Sequence, residues 1–142
     1  MSQKIHYPIF SKPNSESTTL FQATGKALTS AYALIGAEID CQGHTTGFLH
    51  LLWTKGDESS IEVKAEFSLT AGGTLSQEVQ GVSTDTAGQD TLKARDYTFS
   101  TASDNIVIPF RLSAGRYCKL YIEATGGTPT GTYGAGFLAC RE

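Results

Sequence analysis

Asp40, Cys41 and His44 form the densest group of potential metal ligands in the sequence, within the stretch DCQGH. A cysteine and a histidine three residues apart can both reach one zinc ion, and Asp40 could orient the histidine ring. A structural zinc site normally has four protein ligands in paired short spacings, whereas Cys118 and Cys140 are single and distant. The sequence therefore favours a turn with a buried thiol, and we expect neither a metal ion nor a cofactor.

The residues that covalent or acid–base catalysis requires do not form a pattern. Serine nucleophiles need a base and an oxyanion hole, often on an elbow such as G-x-S-x-G, and the sequence has no such elbow. The carboxylates are spread among turns and outer strand faces, so spacing identifies no acid–base pair. The stretch GGTPTGTYGAG, residues 126–136, lacks the Lys-Ser/Thr pair and the helix of a phosphate-binding loop. We expect the protein not to be an enzyme.

Three aromatic side chains and one histidine have the most potential for binding a partner. Trp53 adjoins a charged turn, and Tyr117 and Tyr121 share the predicted outer face of one strand. Exposed rings can stack on sugars or anchor a protein contact, or they can simply cover the edge of a sandwich. His50 lies in GFLHLLW, residues 47–53, predicted to be a strand that is buried on both sides or covered by a partner. We expect His50 in the core or at an interface, where its titration could make assembly depend on pH.

The stretch WTKGDESSIEVKAEFSL, residues 53–69, contains six charged side chains. After KGDES the polarity alternates with a period of two, as in a half-buried antiparallel strand. The residues predicted to face inward are Ile61, Val63, Ala65, Phe67 and Leu69, and those predicted to face outward are Glu62, Lys64, Glu66 and Ser68. A solvated turn and the outer face of a hairpin account for the charges, with a binding loop as the alternative.

The same alternation recurs in NIVIPFRL and RYCKLYIEA, residues 105–112 and 116–124. Pro109 cannot donate a ladder hydrogen bond, which indicates a sheet edge or a bulge. Further strands are expected at 18–24, 31–41, 77–83, 94–100 and 132–140, separated by turn-forming sequences. About nine antiparallel strands and no helix predict an all-β fold, a β-sandwich that is jelly-roll-like.

Residues 1–17 differ in character from the rest and are predicted to form an extended N-terminal arm, with residues 18–142 as a single β-sandwich domain. Pro8 and Pro13 remove backbone donors and disfavour a helix. Apolar side chains on such an arm usually mark a contact, either with its own domain or with a neighbouring subunit. The candidate contact residues are Ile5, Tyr7, Ile9 and Phe10.

The composition argues against several classes of protein. A formal net charge of −3 over 142 residues provides no basic field that would attract nucleic acid or an anionic membrane. No apolar run approaches the roughly 20 residues of a membrane-spanning helix. The N-terminus lacks a secretory signal, and three cysteines, an odd number, favour free thiols over a disulfide scaffold. We expect synthesis in a reducing cytoplasm and no nucleic-acid or membrane partner.

Much of the chain resembles a group of small virion proteins of tailed bacteriophages. The resemblance covers about residues 28–138 and is carried by TKGDESSIEVKAEFSLTAGG, YTFS and NIVIPFRLSAGRYCKLYIEATGGTPTGTYGAG. These proteins are similar to head decoration, or cement, proteins, which lie on a capsid lattice, commonly as trimers, and strengthen the shell. The resemblance implies a virion protein that decorates and stabilises a phage capsid, with the major capsid protein as partner and a homo-oligomer, a trimer favoured, as its form. It supplies no catalytic residues.

Two other functions stay open on the sequence. The first is a carbohydrate-binding β-sandwich module of a phage tail or receptor-binding assembly, which would use Trp53 and the tyrosines. The second is another virion part, such as a tail or head–tail joining component.

Overall fold

The computed structural model describes residues 17–41, 44–77, 79–84, 90–94, 96–100, 104–112 and 115–140. The strands are β1 (Ser17–Ala27), β2 (Ala33–Leu34), β3 (Ile39–Asp40), β4 (Thr46–Thr54), β5 (Ser60–Ser68), β6 (Ser76–Gln77), β7 (Val79–Thr84), β8 (Asp90–Ala94), β9 (Asp96–Phe99), β10 (Asp104–Arg111), β11 (Tyr117–Thr125) and β12 (Thr132–Cys140). Nine of these have four or more residues, and β2, β3 and β6 have two each. The predicted all-β fold with about nine strands is confirmed over this part of the chain.

The strands form two larger sheets and a separate hairpin. The first sheet has the order β1-β12-β4-β10, and the second has β2-β11-β5-β6, with β3 also paired to β11 and β9 also paired to β5. The hairpin joins β7 and β8. All of these pairs are antiparallel. Successive long strands alternate between the sheets, since β4, β10 and β12 belong to the first and β5 and β11 to the second, as in a jelly roll.

The inner faces of the two sheets meet in one hydrophobic core. Leu49 and Phe137 from the first sheet and Val63, Leu120 and Ile122 from the second are at most 1% exposed. The alternation predicted for β5 and β10 is confirmed by the buried residues Ile61, Val63, Ala65, Phe67, Ile108, Phe110 and Leu112. Because both sheets contribute to the same core, the fold is a β-sandwich.

Two local expectations are wrong. Leu69 is 82% exposed and does not face inward, because β5 ends at Ser68, whose hydroxyl donates to the Thr70 carbonyl at 2.9 Å. The single strand expected over 31–41 is divided into β2 and β3, since Gly36 has a φ of 68°, which interrupts the extended chain. Pro109 lies where the sequence suggested, on β10, which has β4 as its described neighbour in the first sheet.

Candidate docking surface

The KGDES turn between β4 and β5 is built around a buried carboxylate. Glu58 is fully buried, and its Oε1 accepts hydrogen bonds from Trp53 Nε1 at 2.9 Å and from the Gly56 N–H at 2.8 Å. Its Oε2 accepts from the N–H groups of Thr130 and Gly131, at 3.2 and 3.0 Å. The expected solvated turn is therefore wrong at Glu58, which ties the turn to the segment before β12.

The ionisation of Glu58 follows from these contacts. Burial alone would raise its pKa, but the hydrogen bonds from Gly56, Trp53 and Gly131 lower the pKa to about 2. The carboxylate stays charged near neutral pH and has four donors around it. Such a group holds a turn in place and is not poised to exchange protons with a substrate.

Trp53 is buried, which corrects the exposed ring expected beside the turn. Its side chain is 1% exposed and packs in the core, with the indole N–H directed to Glu58. The physical reason is strand parity, because Leu49 and Leu51 face the core and Trp53 continues the same side of β4. A ring in this position cannot stack on a sugar at the surface.

Tyr117 and Tyr121 lie on the outer side of β11, as predicted, and both are half-buried. Lys64 Nζ lies 5.5 Å from the centroid of the Tyr121 ring and 4.2 Å from that of Tyr32. The guanidinium carbon of Arg116 lies 5.4 Å from the centroid of the Tyr117 ring. Cations of the same chain therefore already interact with these rings.

The outer side of the second sheet carries a dense set of charges. Its residues on β5 and β11, which we name the charged face, are Glu62, Lys64, Glu66, Tyr117, Lys119, Tyr121 and Glu123. Lys64 Nζ forms an ion pair with Glu66 at 2.9 Å. Glu62 lies directly opposite Glu123 in the register of the two strands. This surface is polar, partly self-paired and rich in carboxylates.

The outer side of the first sheet has the opposite character. Among the described side chains of β4, β10 and β12, those that point outward include no Asp or Glu, and Arg111 at one end is the charged residue. Leu52 and Val107 are large and apolar, yet they are 51% and 55% exposed. We name this surface the apolar face; its central residues are Phe48, His50, Leu52, Val107, Gly134, Gly136 and Leu138.

A trough of about 370 Å³ lies in the middle of the apolar face. The residues that line it include Thr24, His50, Leu52, Val107, Gly134 and Gly136. Among the described residues, a Cβ added at Gly136 would meet no atom within 4 Å, and one added at Gly134 would lie 3.5 Å from the Ala23 carbonyl oxygen. The packing of these residues does not require glycine at position 136, and the missing side chains give the trough its depth.

His50 is half-buried on the outer side of β4, where it lines the trough. GFLHLLW is therefore not buried on both sides within one chain, because Leu49 and Leu51 are in the core while Leu52 is half-exposed. The other option from the sequence, a partner that covers this strand, stays a prediction.

The residues of DCQGH are engaged in separate contacts. Asp40 Oδ1 accepts a hydrogen bond from Arg116 Nε at 3.2 Å. Cys41 and Cys118 are both buried, and the Cys41 thiol donates a hydrogen bond to the Ile39 carbonyl oxygen at 3.7 Å. Within the described ranges, no three His, Cys, Asp or Glu side chains are arranged to hold a metal ion. No helix in the same ranges has the length and apolar character needed to cross a membrane.

The apolar residues of the predicted arm, Ile5, Tyr7, Ile9 and Phe10, lie outside the described residues. That these side chains contact their own domain or a neighbouring subunit stays a prediction. Sequence reasoning missed the buried Glu58 and the glycine trough. The alternation of Leu49 and Leu51 with His50 and Leu52 would have been a signal for the apolar face.

Comparison with known proteins yields structural likenesses. No model of a known protein family matches the chain, and no curated protein sequence matches it. A chain from the disulfide-linked pili of Bacillus endospore appendages aligns with a TM-score of 0.50 at 8% identity, over 99% of this chain and 98% of that one. The SPBc2 prophage-derived protein YomS aligns with a TM-score of 0.41 at 15% identity, over 87% of this chain and 89% of that one. At such low identity the likeness to the pilus chain concerns the fold alone.

Proposed function

We propose that this protein is a virion structural protein that decorates and stabilises a phage capsid through protein–protein contacts. The observation that carries the proposal is the unequal distribution of charge between the two outer sides of the sandwich. The apolar face would lie on the shell, and the charged face would point to solvent.

The contrast between the two sides supports a docking role. The exposed Leu52 and Val107 lie on a surface whose described side chains include no carboxylate, and exposed apolar patches on folded proteins commonly mark protein contacts. The five charged side chains of β5 and β11 would keep the opposite side hydrated. A subunit with one side of each kind can attach to a larger assembly in one orientation.

The rest of the proposal follows the resemblance in sequence. Its partner would be the major capsid protein, and the subunit would form a homo-oligomer, with a trimer favoured. It would be made in the host cytoplasm and found in the virion, without enzymatic activity and without binding nucleic acid or membrane. A similar fold occurs in a chain of Bacillus endospore appendages, which are disulfide-linked pili.

The carbohydrate-binding alternative loses its main support. Trp53 is 1% exposed, and Tyr121 and Tyr117 interact with Lys64 and Arg116. No observation on the described surface favours a sugar over a protein, so we do not propose this function.

The test is co-sedimentation of the full chain with empty capsids assembled from the major capsid protein of the same phage. Leu138→Glu should lower the bound fraction at least tenfold, because it places a charge in the apolar face outside the trough. Leu34→Glu is the matched control, since Leu34 is 39% exposed on the second sheet. Absence of wild-type binding would contradict capsid decoration, and equal binding of the two variants would contradict docking by the apolar face.

A further inference from the structure

The trough contains two glycines that lie in the interior of a strand. Gly134 and Gly136 belong to β12 and lie opposite Leu52 and His50 of β4. Glycine within a strand weakens it relative to alanine, and often marks a place where another chain approaches closely. Since no described atom lies within 4 Å of a Cβ at Gly136, the described part of the fold gives no steric reason for that glycine.

The chemistry of the trough indicates what could fill it. Leu52 and Val107 form an apolar wall, and the outward-facing described side chains around them include no carboxylate. A fitting occupant is an extended segment with apolar side chains at every second position, because such a segment directs one row of side chains into a narrow trough. Large rings and branched side chains pack well over strand glycines.

The sequence of this chain contains such a segment. Ile5, Tyr7 and Ile9 recur at every second position, with no acidic residue before Glu16. Six residues lie between Phe10 and Ser17, where β1 begins, and the seven steps from Cα to Cα correspond to about 23 Å of extended chain. The segment is therefore tethered closely enough to reach surfaces near the first sheet.

The direction of β1 favours a neighbouring copy as the owner of the trough. Ser17 pairs with Cys140 at one end of the sheet, whereas the trough lies farther along β12, at Gly134 and Gly136. The N-terminal end of β1 therefore lies away from the trough of its own chain, and in the sequence Pro13 favours an extended conformation for the residue just before it. Exchange of a terminal segment between identical subunits is a common route to an oligomer.

From these observations we infer that residues 5–10 of one copy of this chain fill the Gly134–Gly136 trough of a second copy. The inference deepens the proposed function, because it assigns part of the apolar face to the contact that joins copies. Leu52 and Val107 form a wall of the trough, and the rest of the apolar face is left for the shell.

The first experiment measures the solution mass of the full chain by light scattering over a wide range of concentration. Wild type should form an oligomer, and Gly136→Val should shift it to the monomer, because the new side chain enters the trough at a position where a Cβ meets no described atom within 4 Å. Tyr7→Ser should give the same shift. Thr98→Val, on the outer side of the second sheet, should leave the mass unchanged. A wild-type monomer at every concentration, or an unchanged mass for Gly136→Val, would overturn the inference.

The second experiment identifies the two chains that meet. One variant carries Tyr7→Cys and the other Gly136→Cys, both with Cys140→Ser to remove the half-buried thiol on the same side. After mixing and mild oxidation with copper phenanthroline, a disulfide between the two variants is expected. A third variant carries both new cysteines in one chain. A disulfide that forms only within this third variant, or no disulfide in any sample, would overturn the exchange between copies.

The two proposals fail separately in these tests. A cross-link between copies without co-sedimentation with capsids would reject the proposal of capsid decoration and retain that of the exchanged segment. Capsid binding with no cross-link and no effect of Gly136→Val on the solution mass would retain capsid decoration and reject the exchanged segment.

Discussion

Trp53 Nε1 donates a hydrogen bond to Glu58 Oε1 at 2.9 Å, and both side chains are removed from solvent. This contact joins the end of β4 to the turn that leads into β5. The same carboxylate also accepts hydrogen bonds from the N–H groups of Thr130 and Gly131, which are 72 and 73 residues away in the sequence. One side chain therefore connects the turn before β5 to the segment before β12.

Glu58→Gln should lower the free energy of unfolding by about 3 kcal/mol, because an amide replaces one acceptor oxygen with a donor that faces other donors. Urea denaturation of the variant and the wild type measures this loss. Asp57→Asn is the control, since Asp57 is exposed in the same turn and should change stability by less than about 0.5 kcal/mol. A similar small effect at Glu58 would contradict its structural role.

Stability should depend on pH through Glu58. Its pKa is about 2 in the folded protein and 4.5 without the surrounding contacts. A group with a lowered pKa contributes its stabilisation fully above the unfolded value, and this contribution disappears as the pH falls from about 4.5 toward 2. The contribution is roughly 3 kcal/mol. Unfolding free energies of wild type and Glu58→Gln should therefore converge on acidification, and a constant difference across that interval would contradict the assignment.

Two glycines near and within β12 should respond oppositely to alanine. A Cβ at Gly131 would lie 2.6 Å from the Thr54 carbonyl oxygen and would also collide with Glu58, so Gly131→Ala should destabilise by about 2 kcal/mol or more. Gly136→Ala places its Cβ more than 4 Å from every described atom and should stabilise the monomer by roughly 0.5–1 kcal/mol. Thermal unfolding of the two variants under identical conditions tests the contrast. A loss at both positions would show that the trough floor is less open than described.

The charged face contains a repulsion that one substitution can remove. Glu62 and Glu123 are directly opposed between β5 and β11, so Glu123→Lys should stabilise by about 0.5 kcal/mol at low salt and by less at high salt. Glu66→Lys is the reciprocal change, because it breaks the 2.9 Å ion pair with Lys64 and faces Lys119. It should destabilise by a similar amount. Equal effects of the two reversals would argue against the cross-strand register.

The sequence predicted features that depend on local alternation. The inward row of β5 and the edge position of Pro109 are examples, because a period of two and a missing N–H are visible without knowledge of partners. Trp53 was misjudged because its neighbour is a charged turn, although its parity with Leu49 and Leu51 points to the core. Proximity in sequence to charge was a poorer guide than position along the strand.

Other features could not be predicted, because they depend on pairing between distant segments. The Glu58 carboxylate accepts hydrogen bonds from the N–H groups of Thr130 and Gly131, and the sequence KGDES contains no sign of these distant partners. The trough exists because the register of β12 and β4 sets Gly134 beside Leu52 and Gly136 beside His50. A shift of one residue would have put these glycines in the core.

Pro109 affects the tendency of the first sheet to aggregate through its edge strand. It is exposed on β10, and its ring nitrogen cannot donate a hydrogen bond to an added strand. A chain made in large amounts in a crowded cell risks growth of fibres from strand edges. The proline interrupts such growth along β10, so that this edge of the first sheet is protected against pairing with a further strand.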